Sequence, residues 1–476
     1  MKRFFTLLCF VFTSISVFAQ TGADYYRSAQ NPYYWKNRKP HAAYWQQDIY
    51  YNINATIEDK TGIIDGREEL TYWNNSPDTL YFVYFHLYQN AFVKGSHLEQ
   101  LNEANNFHQR FGPYEAAGKG TEVERVENNG NSNVIALMDN TIMKVSLTQP
   151  LLPNQFTSFK IKFKTYFDAG DQRRRMKKFT ASGSSYTHYD GVHWYPRICV
   201  YDAKFGWDTY QHLGKEFYGD YGAYDVALTF ANHYVLDATG VLQNREEVLP
   251  DELRRKLDIT NFKNKPIGSP ASEIIKPNGT TKTWMFHADN VHDFAWTADP
   301  TYRIGETEWN GIKCIALAQE SNAAGWQEAA SFTAKVIQTY SMDFGMYAYP
   351  KMIVADAQDG MEYPMLTLNG GNYPGNHFVI AHEVGHNWFF GMVGNNETYR
   401  AALDEGFTQF LTSWSLKAID GVYNPDAKFD PYNKTYSFSS MYYKQYKKRY
   451  NKRFDIDLPI DESTLYLGYL TDAINK

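Results

Sequence analysis

From Tyr44 to Asp299 the chain alternates between apolar and polar positions. "YYNINATIEDKTGIIDGREELTYWNN" puts an apolar residue at nearly every second position, broken by "DKTG" and "DG" turns. That is the period of a half-buried strand. "TLYFVYFHLY" (79–88), "SFKIKFKTYF" (158–167), "YDVALTF", "YVLDATGVL" and "KTWMFHADNVHDFAWTADP" repeat the pattern. No sustained helical period interrupts them, and "PDELRRKLDI" reads as a short helix. The prediction is one large antiparallel β-domain, or two sheets packed together.

Beyond Pro300 the period changes. In "GWQEAASFTAKVIQTYSMDFG" (325–345) the apolar residues Ala329, Phe332, Val336, Ile337 and Tyr340 recur at helical spacing. "KMIVADA" (351–357) reads as a short buried strand, and "GMEYPMLTLNGG" (360–371) as another ending in a Gly-rich loop. "AALDEGFTQFLTSWSLKAI" (401–419) predicts a helix whose inward face carries Leu403, Phe407, Phe410, Leu411 and Trp414. The fold class is therefore multidomain β + α/β, with an N-terminal antiparallel β-domain over 20–300 and a mixed domain over 301–476.

Composition agrees with a packed core, since 43% of residues are hydrophobic and 21% charged. Aromatics reach 17% and sit largely in the alternating runs, which favours strands further. The first residues read as a secretory signal peptide over 1–19. Lys2 and Arg3 form a charged start, Phe4 to Phe18 an apolar run, and Val17 and Ala19 the small residues before a cut at Gln20. The expected localisation is exported, periplasmic or extracellular. Removing that segment takes the formal charge from −6 to −8, a poor balance for a nucleic-acid partner. The basic runs "RRRMKK" (173–178) and "KKRYNKR" (447–453) read as solvated surface. No further segment is apolar enough for a stable membrane span. Cys199 and Cys314 allow one disulfide but demand none.

The chemistry concentrates in "VIAHEVGHNWFFG" (379–391). On a helix, residues four apart project side by side, so His382 and His386 can hold one small cation. Glu383 lies about 100° round from His382 and can reach a water at that cation. This is the mechanical content of His-Glu-x-x-His: two zinc ligands and a general base. A catalytic zinc needs a third protein ligand. Glu405 follows His386 after an 18-residue gap, and an antiparallel helix would bring it back onto the pair.

With that spacing, and "LDEGFTQF" around Glu405, the sequence resembles the M1 family of zinc aminopeptidases within the gluzincins. "DGMEYP" (359–364) resembles the family's Gly-x-Met-Glu-Asn segment, with Asp359 and Tyr363 in place of its flanking residues. The β-region, including "HWYPRICVYDAKFGWDTYQHLGKEF", also resembles bacterial members. The resemblance implies a saddle-like β-domain followed by a thermolysin-like zinc peptidase domain, with one zinc per chain and a peptide as substrate. His382, His386 and Glu405 would be metal ligands, and Glu383 the catalytic base acting on a zinc-bound water. Gly360, Met361 and Glu362 would bind substrate along an edge strand, with Glu362 on the free α-amino group.

The family also places a tyrosine hydroxyl downstream of the third ligand. After Glu405 tyrosines are many, Tyr466 and Tyr469 the last, but none has the usual Lys-Gly behind it. The chain ends at Lys476 before the family's helical C-terminal domain, which reads as a truncated sequence. Two alternatives follow: a zinc-binding but catalytically incomplete module, and a gluzincin endopeptidase.

Overall fold

The computed structural model of this chain describes residues 22–420, apart from 133, 173–174, 181–183 and 374. The signal-peptide segment, Tyr466, Tyr469 and the 447–453 run lie outside the described residues.

The alternating region forms a seven-stranded sheet, two four-stranded sheets and a two-stranded ribbon. In the large sheet the alternation translates directly into burial. In Asp48–Glu58 (β1) Tyr51, Ile53, Ala55 and Ile57 point into the core, and Asn52, Asn54 and Thr56 point to water. The expectation of a wholly antiparallel domain needs one correction. β1 pairs in parallel with Gly222–Ala231 (β2), from Ile49 opposite Gly222 to Thr56 opposite Thr229. A short hairpin loop can only reverse the chain, whereas a long crossover can return it in the same direction. Here more than 160 residues separate the two strands, and they include most of the other strands of the β-region. The short helix expected in "PDELRRKLDI" is Asp251–Leu257.

The second region is a five-stranded mixed sheet with helices against it. Its strands are Tyr302–Trp309 (β3), Ile312–Gln319 (β4), Lys351–Asp356 (β5), Met361–Tyr363 (β6) and Leu366–Asn369 (β7). The spatial order is β3-β4-β5-β7-β6, so β6 is an edge. β4, β5 and β7 run parallel, and β5 is buried at every position, as expected of a strand covered on both faces. The single strand predicted over 360–371 is instead two antiparallel strands. Pro364 interrupts the ladder, and Met365 turns the chain at φ 63°. Its N–H donates to Asn387 Oδ1 at 3.1 Å, which ties this turn to the residue after His386.

Among the described residues the longer helices of the region are Ala329–Phe344 (α1), Gly375–Gly385 (α2) and Phe407–Asp420 (α3). α1 buries the predicted stripe of Ala329, Phe332, Val336, Ile337 and Tyr340, and ends at Gly345 with φ 120°. α2 packs against both α1 and α3. α3 departs from prediction. Leu411 is buried, but Leu403, Phe407 and Trp414 are exposed, while Thr408, Thr412 and Ser415 are fully buried. Ala402–Gly406 forms a π-helical turn just ahead of α3. Its wider winding offsets the simple 3.6-residue count, and the polar face meets α2. Cys199 and Cys314 are buried free thiols.

Candidate active site

α2 continues past Gly385 by one helical bond, from His386 N–H to the His382 carbonyl at 3.3 Å. Both imidazoles therefore leave the same face. Their Nε2 atoms stand 3.2 Å apart. Glu405 arrives from the π-helical turn, with Oε2 3.2 Å from His382 Nε2 and 4.0 Å from His386 Nε2. A tetrahedral ion bound at about 2.0–2.1 Å separates its ligand atoms by roughly 3.3 Å, so this donor set fits a zinc-sized cation. Burial drops the His386 pKa to about 3, which keeps a neutral nitrogen available as a ligand.

Glu383 is on the same helix and is 7% exposed. Burial raises its pKa to about 8, with Glu405 adding to the rise and His382 opposing it. Gly360, just ahead of edge strand β6, packs onto the Glu383 carboxylate so closely that a Cβ there would overlap it. Met361 and Glu362 follow on the edge strand, both buried. A carboxylate oxygen of Glu362, one of Glu397 and a nitrogen of His386 lie within 4.8 Å of one another. All the residues singled out from the sequence, His382, Glu383, His386, Glu405, Gly360, Met361 and Glu362, thus meet in one place.

Sequence reasoning missed several neighbours. Arg175 and Lys177 come from the run read as solvated surface; Arg175 is buried instead, and Lys177 is half-buried. Arg175 is 7% exposed, pairs with Glu216 and touches Met361 Sδ. Lys177 pairs with Asp359 at 2.9 Å. Long-range ion pairs of this kind leave no local sequence signal. Glu397 and Asp404 are buried next to each other, and burial followed by their mutual repulsion raises the pKa of Glu397. Burial likewise raises the Glu362 pKa, with Glu216 and Glu383 adding to the rise and Arg175 opposing it. Burial thus favours the neutral form of these carboxyls unless a cation lies beside them.

No family model and no curated protein matches this sequence. Among solved structures the chain is similar to an M1 zinc metallopeptidase from Deinococcus radiodurans. The TM-score is 0.54 over 89% of this chain and 78% of that one, at 14% identity. The fold is that of the M1 zinc metallopeptidases. A mutant M1 zinc metallopeptidase from the same organism gives 0.53 over 91% and 96%, also at 14% identity. A further M1 structure, bound to a Tyr-Ser-Ala substrate, gives 0.50 over 91% and 95%. The histidine helix packs directly against the β6 edge, where Gly360 meets Glu383.

Proposed function

We propose that the protein is a zinc-dependent peptidase that removes residues from the N-terminus of peptides. The observation that carries this reading is the convergence of His382, His386 and Glu405 at ligand-to-ligand spacing, with Glu383 beside them. Zinc held there would act as a Lewis acid on the scissile carbonyl and make water a better nucleophile. Glu383 takes the proton from the attacking water and passes it to the leaving amine. Its dry surroundings, backed by Gly360, hold the carboxylate in one orientation. The β6 edge offers backbone groups to an extended substrate. Glu362 receives the free α-ammonium, which suits a buried carboxyl group with Glu216 and Glu383 near it. We also place the protein outside the cytoplasm, on the leader-like first residues. Among the described residues no helix is long and apolar enough to cross a membrane.

The test is hydrolysis of matched peptides with free and acetylated N-termini, before and after chelation. The free peptide should be cleaved, the acetylated one spared, and chelation should stop the reaction. Glu383→Gln should retain about one zinc per chain and lose activity by roughly a hundredfold to ten-thousandfold. Equal cleavage of both peptides would instead favour the endopeptidase reading. Zinc without hydrolysis of either would favour the catalytically incomplete module.

A further inference from the structure

The zinc reading leaves the far side of each histidine ring unexplained. A histidine that binds metal through Nε2 has a proton on Nδ1, and whatever receives that proton sets the tautomer and the ring angle. In this chain a threonine hydroxyl from one helix stands at each of the two Nδ1 atoms. Thr412 Oγ1 lies 3.4 Å from His382 Nδ1, and Thr408 Oγ1 lies 3.4 Å from His386 Nδ1. The two threonines are four residues apart on α3, as the two histidines are on α2, and the order is reversed because the helices run antiparallel. Both threonines are fully buried.

The Thr412 hydroxyl is committed. It donates to the Thr408 carbonyl at 2.7 Å, the usual back-bond of a helical threonine. Its hydrogen is therefore spent, and what it presents to His382 is a lone pair. Only an Nδ1–H can meet it, which leaves the Nε2 lone pair facing Glu405 and His386. Gly385 makes the close approach possible, since a Cβ there would come within 3.0 Å of Thr408 Cγ2. Glu405, Thr408 and Thr412 then read as one unit, with spacings of three and four that put a ligand and two ring holders on a single helical face.

We propose that Thr408 and Thr412 are positioning residues that hold His386 and His382 in the Nδ1–H tautomer with their Nε2 atoms aimed at the metal. The inference rests on the zinc reading of the site. It is tested by zinc affinity, measured by competition with a chromogenic chelator, on purified wild-type protein and on Thr408→Val, Thr412→Val and the matching Ser substitutions. Valine keeps the shape and removes the acceptor, so each Val variant should bind zinc roughly 10- to 100-fold more weakly. Serine keeps the oxygen and should stay within about threefold of wild type. Thermal melting of the metal-free proteins reports folding, and Thr→Ala substitutions replace any Val variant that does not fold. Zinc bound equally by wild-type, Val and Ser proteins would overturn this proposal alone, as would Ser variants as weak as Val. No zinc bound by the wild type would overturn the metal reading and this proposal with it.

Discussion

At position 360 there is no room for a methyl group, because a Cβ there would overlap the carboxylate of Glu383. Gly360→Ala must therefore displace either the edge strand or the side chain of Glu383, the proposed base. Displacement of a positioned base by about an ångström can cost on the order of a hundredfold in rate. Gly360→Ala should accordingly lower kcat by at least tenfold while zinc content, read by metal analysis, stays at the wild-type level. Loss of zinc together with activity would mean that the methyl had disturbed His382 rather than Glu383. This dependence is invisible in "DGMEYP", where glycine reads only as part of a motif. His382, Glu383, His386 and Glu405 could be read from spacing because helical geometry makes their relation local. Arg175 could not, because its partners Glu216 and Met361 lie 41 and 186 residues away.

At the scale of elements, helix α3 is the informative failure. A hydrophobic stripe predicts an inward face only when what lies inside is apolar. Here the inside is a cluster of imidazoles and carboxyls, so the threonine face turns in and part of the apolar stripe turns out. This makes a stability prediction with opposite outcomes for two similar residues. Leu411 is fully buried, and Leu411→Ala should destabilise the protein by about 2–5 kcal/mol. Leu403 is 50% exposed, and Leu403→Ala should cost less than about 1 kcal/mol. Chemical denaturation midpoints of the two variants measure the difference. Similar losses for both would mean that Leu403 is covered in solution. The edge strand β6 was legible as a strand, but its separation from β7 was not, since Pro364 gives a break without saying which way the chain turns.

At the scale of the whole molecule, the β-region does more than precede the site. It supplies Arg175 and Glu216 to the cluster, and Thr398 returns a hydrogen bond to the Glu216 carbonyl at 2.8 Å. Tyr221 donates to the carbonyls of Phe390 and Gly391, just past the histidine helix. The two regions are thus fastened around the site by polar contacts, and within the β-region a buried histidine makes stability depend on pH. His188 lies buried between Asp299, 3.1 Å from Nδ1, and Asp190, 2.9 Å from Nε2. Burial opposes its charge, but the two carboxylates prevail and raise its pKa to about 10. A raised histidine stabilises fully below its unfolded pKa of about 6.5, and the contribution fades as pH climbs through about 10. The destabilisation caused by His188→Gln should therefore be largest near about pH 6 and shrink by up to about 1.4 kcal/mol per pH unit toward about pH 10. A pH-independent difference in denaturation midpoint would show that His188 is not charged in the fold.

Sequence by itself determined the elements whose cause is local. Alternation marked the strands, helical spacing marked α1, and the interval from His382 to Glu405 marked two imidazoles and a carboxylate that one helix–turn–helix can bring together. Only the tertiary structure decided which face of α3 meets the histidines, that β1 and β2 pair in parallel, and that Arg175 sits under β6 rather than in water. Those outcomes depend on burial and charge brought together across long stretches of chain. No periodicity records them, because the energy that selects them arises between elements and not within one.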